Sequence, residues 1–226
     1  MKNLTLLIPA KLESESLPRV LTELKKFNFN ICIILKDDDI TTINSIKHFD
    51  VDILYQKGIG YGNALIEGIK SCKTKYFCIF NADGSFNPGE IESIMMQIKK
   101  NNTDFIFASR YEKKAGSEDD TIITLIGNYF FSLLGKIFFK LNISDILYTF
   151  VIGDTSKARS LNLQSNDFRF CVELPIKANR KKYTLEVFPS QERKRIAGKK
   201  KVNAFKDGSL ILKSLIELYF NKQPKN

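Results

Sequence analysis

Asn81-Ala82-Asp83-Gly84-Ser85-Phe86-Asn87-Pro88 follows the apolar run Tyr76-Phe77-Cys78-Ile79-Phe80 and precedes a helical pattern. An apolar run of this length reads as a central strand of a parallel sheet, and α/β proteins carry chemistry just beyond the carboxyl ends of such strands. Asp83 supplies hard oxygen ligands, Asn81 and Ser85 add neutral oxygens at alternate positions, and Gly84 permits a tight backbone. That set suits a divalent cation carrying a phosphorylated substrate. The same residues also suit a strand-to-helix turn in which Asp83 and Asn87 act as caps. Cationic groups stand elsewhere. Arg110 follows another apolar run, where its fork suits phosphate or an anionic acceptor. Arg193, Arg195 and a lysine of the 199–201 run, taken as Lys200, lie in a loop placed to clamp a diphosphate.

The elements that must position these groups alternate. Apolar runs at 4–8, 31–35, 51–55, 76–80, 104–108 and 183–188 predict strands, and helical patterns fall near 16–27, 41–48, 61–72, 88–101, 121–141, 171–181 and 206–221. Such alternation predicts an α/β fold with a mostly parallel sheet covered on both faces. With 226 residues, 43% of them hydrophobic, the chain can bury one substantial core, and a single domain over 1–226 is expected. Residues 112–120, 164–167 and 193–202 read as loops.

The formal charge is +10. From Lys177 to Lys206 the many Lys and Arg residues face only Glu186 and Glu192 among the acids. Such a field attracts phosphates. No helix-turn-helix, zinc-ligand or RNP-like aromatic pattern accompanies it, so nucleic acid is not an expected partner. Cys32, Cys72, Cys78 and Cys171 form no C-x-x-C pair, which fits a reduced, cytoplasmic compartment. The first apolar run ends at Pro9, too short for a signal-peptide core. Residues 121–141 are apolar almost all round, with Asn128, Ser132, Lys136 and Lys140 on one helical stripe. The lysines disfavour a membrane span and leave core packing or docking on a membrane surface; Tyr129, Phe130, Phe131, Phe138 and Phe139 favour docking on an anionic, inner membrane face.

The segment Leu4 to Pro18, with Pro9-Ala10-Lys11-Leu12-Glu13, followed by Ile31 to Asp38, resembles the opening of family 2 glycosyltransferases. Asn81 to Asp83 stands where that family has Asp-x-Asp. Ala108-Ser109-Arg110-Tyr111 and Pro189 to Gly198 resemble the Gly-Ser-Arg and Glu-Arg-x-x-x-x-Gly segments of its polyprenyl-phosphate sugar synthases, such as dolichol-phosphate mannose synthase. The resemblance spans roughly residues 4 to 215. It implies the GT-A fold, with 1–110 as the nucleotide-sugar half and 111–226 as the acceptor half. It further implies inverting transfer dependent on Mg²⁺ or Mn²⁺, from a nucleotide-sugar donor to a polyprenyl-phosphate or glycan acceptor.

By the same resemblance Pro9, Ala10, Lys11, Glu13 and Asp37, with Asp38 as a register alternative, meet nucleobase and ribose. Gly60, within Lys57 to Ala64, approaches the nucleotide by its backbone. Asn81, Ala82 and Asp83 flank the donor, and Asp83, Asn81 and Ser85 hold the metal. Arg195 and Lys200 meet the diphosphate, while Arg110 and Arg193 join Asp83 in catalysis. Glu173 matches a family glutamate near the acceptor and becomes the general base if the acceptor is a hydroxyl; a lipid phosphate needs none. Asp145 matches a further family acid that orients the acceptor loop. Asn81 departs from the pattern by removing a charge, which raises the alternative of a non-catalytic nucleotide- or membrane-phosphate-binding relative. A sugar nucleotidyltransferase is the other alternative, although a Gly-rich basic loop after the first strand is missing.

Overall fold

The computed structural model describes residues 2–198 and 203–221. The pleat of β1 (Leu4–Pro9) sends Leu4, Leu6 and Ile8 into one apolar cluster and Leu7 into another, the period-two consequence of an extended backbone. The chain continues through α1 (Leu17–Leu24), β2 (Asn30–Leu35), α2 (Ile40–Ile46), β3 (Asp52–Tyr55), α3 (Tyr61–Ser71), β4 (Tyr76–Ile79), α4 (Glu90–Asn101) and β5 (Phe105–Ser109). Then come β6 (Gly116–Ser117), α5 (Ile122–Phe139), β7 (Val151–Asp154), α6 (Thr155–Ser160), α7 (Phe170–Arg180), β8 (Leu185–Pro189), β9 (Gln191–Glu192) and α8 (Ala204–Phe220).

Seven strands form one sheet in the order β3-β2-β1-β4-β7-β5-β8. All pairs are parallel except those of β7, which runs antiparallel to β4 and to β5. One face carries Phe77, Ile79, Phe105 and Phe107 against residues of α3, α5, α6 and α7. The other carries Cys78, Phe80, Ile106 and Ala108 against α1 and α4. The three-layer α/β architecture expected from the alternation is therefore present. Because β1, β2 and β4 are parallel neighbours, the loops after their carboxyl ends meet at one edge.

Four elements were not expected from the sequence: β6 and β9, which pair with each other, and β7 and α6. β7 and α6 lie in a stretch for which no element was predicted. Gly153 interrupts that apolar run, and the fold uses it because Phe105 and Phe77 crowd the place of a Cβ there. For α5, read as packing in the core or docking on a membrane surface with docking favoured, the orientation is set by its polar stripe. Its polar residues Asn128 and Ser132 are buried, accepting from Leu147 N at 3.3 Å and Ile146 N at 3.1 Å. Ile122, Ile123, Ile126, Tyr129, Phe130, Leu133, Ile137 and Phe138 face outward instead. Length and composition alone would let α5 cross a membrane, and only 22% of that helix is buried. α8 lies beside it, with Tyr219 edge-on to Phe138 and Phe139, and extends the exposed apolar face through Leu212, Ile216 and Phe220.

Candidate active site

The carboxylate loop is anchored at both ends by aromatic packing. Phe80 and Phe86 are buried, meet edge-on at 5.8 Å, and rest on Phe150, which stacks on Phe86 at 4.9 Å. Between these anchors the backbone turns at Gly84, whose φ of 81° lies in the left-handed region open to glycine. Asp83 Oδ1 accepts from Ser85 N at 3.0 Å and from Ser85 Oγ at 2.7 Å. Asn81 Oδ1 accepts from the Tyr61 hydroxyl at 3.4 Å, and that hydroxyl also bonds Thr149 Oγ1 at 2.8 Å. Burial, chiefly, holds the Tyr61 phenol well above its usual pKa.

A segment far along the chain is laid over this loop. Arg193 N donates to Ser85 O and Ile196 N to Asp83 O, each at 2.8 Å. Ile196 packs on Gly84 so closely that a Cβ there would collide with it. Arg195, held between those two backbone bonds, directs its Nη2 and Nε to Asp119 at 2.8 and 3.3 Å and its Nη1 toward Asp83 Oδ2 at 3.5 Å. Burial opposes its charge, but the Asp119 hydrogen bond and the Asp83 and Asp119 charges outweigh it, so its pKa is raised. Asp119 arrives because β6 pairs with β9, Gly116 against Gln191 and Ser117 against Glu192.

The loop after β1 forms the neighbouring wall. Pro9 ends the strand, Ala10 N donates to Ile34 O at 2.8 Å, and Lys11 is exposed. Glu13 N donates to Thr42 Oγ1 at 3.0 Å, while its Oε2 accepts from Ser16 Oγ at 2.5 Å. Asp37 is exposed at the end of β2. Asp39, two residues on, is the buried acid of this run. It accepts from Leu12 N at 2.7 Å and from Thr42 N at 3.3 Å, capping α2 and tying two loops together. Burial alone would raise its pKa; the donors from Leu12, Thr42 and Thr41 lower it below the usual carboxylate value. Asp39 was not among the residues singled out from the sequence.

Four expected contacts are corrected by the geometry. Arg110 is not open to a phosphate: Nε and Nη2 hold Asp145 at 2.7 and 3.0 Å, Nη1 holds Glu192 at 3.0 Å, and Tyr148 covers the guanidinium at 4.6 Å. Arg193 is spent on Glu23, at 2.7 and 3.0 Å, and on Phe86 O, so it pins the overlying segment instead of facing a ligand. Glu173 is buried, accepting from the amides of Gln164 and Ser165 and pairing with Lys177 at 2.7 Å. With its oxygens so engaged it positions the 164–167 loop and is not poised as a base. That loop in turn closes on Gly60, where the Asn166 carbonyl fills the place of a Cβ, so the approach expected for a nucleotide is made by the chain itself. Ala82 is buried beside Asp83. Lys200 lies outside the described residues.

The donor set can be tested against a divalent cation. Asp83 Oδ2 has no hydrogen-bond donor among the described residues and faces only the positive Arg195. Among these residues no group of three or more His, Cys, Asp or Glu could hold a metal unaided. One carboxylate with a neighbouring amide oxygen on Asn81 and hydroxyl on Ser85 fits a hard cation completed by substrate phosphates, which is how Mg²⁺ is commonly held, and does not make an all-protein cage.

The family profile described as "Glycosyl transferase family 2" matches residues 5–161. Among solved structures, glucosyl-3-phosphoglycerate synthase from Mycobacterium tuberculosis, in complex with Mn²⁺, uridine diphosphate and glucosyl-3-phosphoglycerate, is similar over 96% of this chain and 80% of its own, with a TM-score of 0.74 at 8% identity. Mannosyl-3-phosphoglycerate synthase from Rubrobacter xylanophilus is similar over 97% of this chain and 73% of its own, with a TM-score of 0.65 at 11% identity. At such identities the likeness is one of fold, the GT-A arrangement.

Proposed function

This chain belongs to glycosyl transferase family 2, and we propose that it moves a sugar, with inversion, from a nucleoside diphosphate donor to a polyprenyl-phosphate acceptor. The observation that carries the reading is the pairing of Asp83 with Arg195 at the carboxyl end of β4, beside the ends of β1 and β2. Asp83, with Asn81 and Ser85, would hold Mg²⁺ or Mn²⁺, which supplies charge neutralisation for the departing diphosphate. Arg195 adds positive charge from the overlying segment, and Asp37 is free to accept from nucleobase or ribose donors. In the transfer, an acceptor oxygen bonds the anomeric carbon as the bond from that carbon to the donor's phosphate oxygen breaks. A phosphate acceptor attacks as an anion, which agrees with a Glu173 that is already engaged.

The lipid acceptor and a peripheral membrane location are supported by the outward apolar face of α5 and α8, rimmed by exposed Lys136, Lys140, Lys206 and Lys213. Such a face buries into the headgroup boundary while its lysines meet anionic lipid. It adjoins the site in sequence, since α5 begins three residues after Asp119. Transfer assays with a panel of nucleotide sugars test the reading, offering a polyprenyl phosphate, a glycan or phosphoglycerate, which is bound as phosphoglyceric acid in another complex of the mycobacterial relative. Lipid product formed only with divalent cation, and lost in Asp83→Ala, is the expected result. Turnover unimpaired by chelator would refute it, and transfer to a glycan or phosphoglycerate alone would redirect the acceptor. The absence of any nucleotide release with every donor would favour a binding relative, the reading suggested by Asn81. Flotation with phosphatidylglycerol vesicles tests the membrane face separately.

A further inference from the structure

We infer that Asp119 is a positioning residue that aims Arg195, keeping one edge of its guanidinium aside so that the other is free for the donor's diphosphate. The inference rests on the reading above that Asp83 holds the cation. The Arg195 backbone is fixed on both sides, by Arg193 N to Ser85 O and Ile196 N to Asp83 O, each at 2.8 Å, so the side chain and not the segment is what can swing. Its fork is divided unequally. Nη2 and Nε sit on Asp119 at 2.8 and 3.3 Å, whereas Nη1 stands 3.5 Å from Asp83 Oδ2, outside good hydrogen-bond length.

Asp119 therefore competes with Asp83 for one guanidinium. Without that competition the arginine would settle fully on Asp83 and oppose a cation there by charge and by occupancy. With it, Nη1 remains close enough to neutralise Asp83 when no cation is bound, and its N–H groups can turn to an anion delivered with the cation. Asp119 is itself set by the β6–β9 pairing and lies just before the N-cap of α5, Thr121, so the geometry at Asp83 is built from the half of the chain that carries the apolar face.

The test is a double-mutant cycle on Arg195→Gln and Asp119→Asn in the full chain. Mn²⁺ affinity is read by electron paramagnetic resonance, and uptake of labelled inorganic pyrophosphate is read at saturating Mn²⁺. Arg195→Gln should tighten Mn²⁺ alone by about 3- to 10-fold, as expected for removing a partly screened like charge, and weaken pyrophosphate by about 10-fold or more, as expected for losing a charge-assisted bond. Asp119→Asn should weaken both. The double variant should bind Mn²⁺ as Arg195→Gln does, because Asp119 then has nothing to aim. An additive Mn²⁺ loss in the double variant, or a Mn²⁺ affinity lowered or unchanged by Arg195→Gln, would overturn the inference. Asp83→Asn separates the two claims: if it leaves Mn²⁺ binding intact, the metal reading itself fails. Unchanged circular dichroism and melting confirm that each variant is folded.

Discussion

Arg110 pairs with three carboxylates, Asp145, Glu192 and, at 3.9 Å, Asp120, and Arg195 with two; each is drawn into place by the same small β6–β9 ribbon, since Glu192 belongs to β9 and Asp119 follows β6. Around Arg110 every tooth of the fork is engaged at 2.7 to 3.0 Å, and Asp145 is fully buried. Around Arg195 the contacts lengthen from 2.8 Å at Asp119 to 3.5 Å at Asp83, and all three groups retain some exposure. Burial lowers the Arg110 pKa, but Asp145 and Glu192 more than reverse it, so the cation is permanent. The same residue types thus make a closed joint in one place and an open one in the other. What separates them is whether any N–H is left for a ligand.

The comparison breaks first at Asp145. Asp145→Ala leaves Arg110 without its bidentate partner in a buried site, and such losses cost about 3–5 kcal/mol. Arg195→Ala disturbs a partly exposed pair and should cost under about 1 kcal/mol after screening. Denaturant unfolding of both variants checks this, and equal losses would erase the distinction. For Asp83→Ala the order reverses, with melting nearly unchanged while transfer falls by about 10² to 10³-fold, the scale for losing a group that stabilises developing charge. A steady-state assay with intact circular dichroism decides it.

Glu173→Gln sharpens the same contrast between joint and site. Gln replaces one acceptor oxygen with an amine facing the Gln164 and Ser165 amides, which should cost about 1–3 kcal/mol as a buried hydrogen-bond mismatch. Because Glu173 positions a loop, the acid limb of the pH–rate profile should stay where it is. A shifted limb with unchanged stability would restore it as a base.

The place of Asp83 was legible because a carboxylate directly after an apolar strand is a local pattern; β1, β4 and β5 were legible because strands buried on both faces write continuous apolar runs, and the less buried β2, β3 and β8 because they keep enough apolar residues. The partners were not legible. Asp119 lies 76 residues from Arg195, and Glu23 lies 170 from Arg193, so nothing near either arginine tells a free cation from a spent one. Arg110 and Arg193 read like phosphate ligands for that reason. For α5 the period showed a polar stripe and an apolar one, and the inward choice was made by backbone amides at 146 and 147 that needed Ser132 and Asn128 as acceptors. β7 was hidden by a glycine required by phenylalanines on two other strands.

The smallest expected effect concerns Asp39, a carboxylate that joins the loops after β1 and β2 without facing an arginine. Its folded pKa is lowered: burial pushes it up, but the Leu12 and Thr42 amides and the Thr42 and Thr41 hydroxyls stabilise the anion more. A depressed carboxylate contributes stability that is present above its unfolded pKa and lost as pH falls through the folded value. Asp39→Asn keeps an acceptor for the α2 amide but removes the charge and turns its NH₂ toward Leu12 N, so wild type should be more stable by about 0.5–1 kcal/mol at pH 7, the lower range for a weakened cap. That gap should close as pH falls below the ordinary carboxylate range, where both side chains are neutral. Melting of the pair from pH 7 down to about pH 2, below the ordinary carboxylate range, measures it. A gap that persisted at the acid end would mean that shape, and not charge, holds the two loops together, and the wall beside Asp83 would then be rigid for a reason unlike either arginine joint.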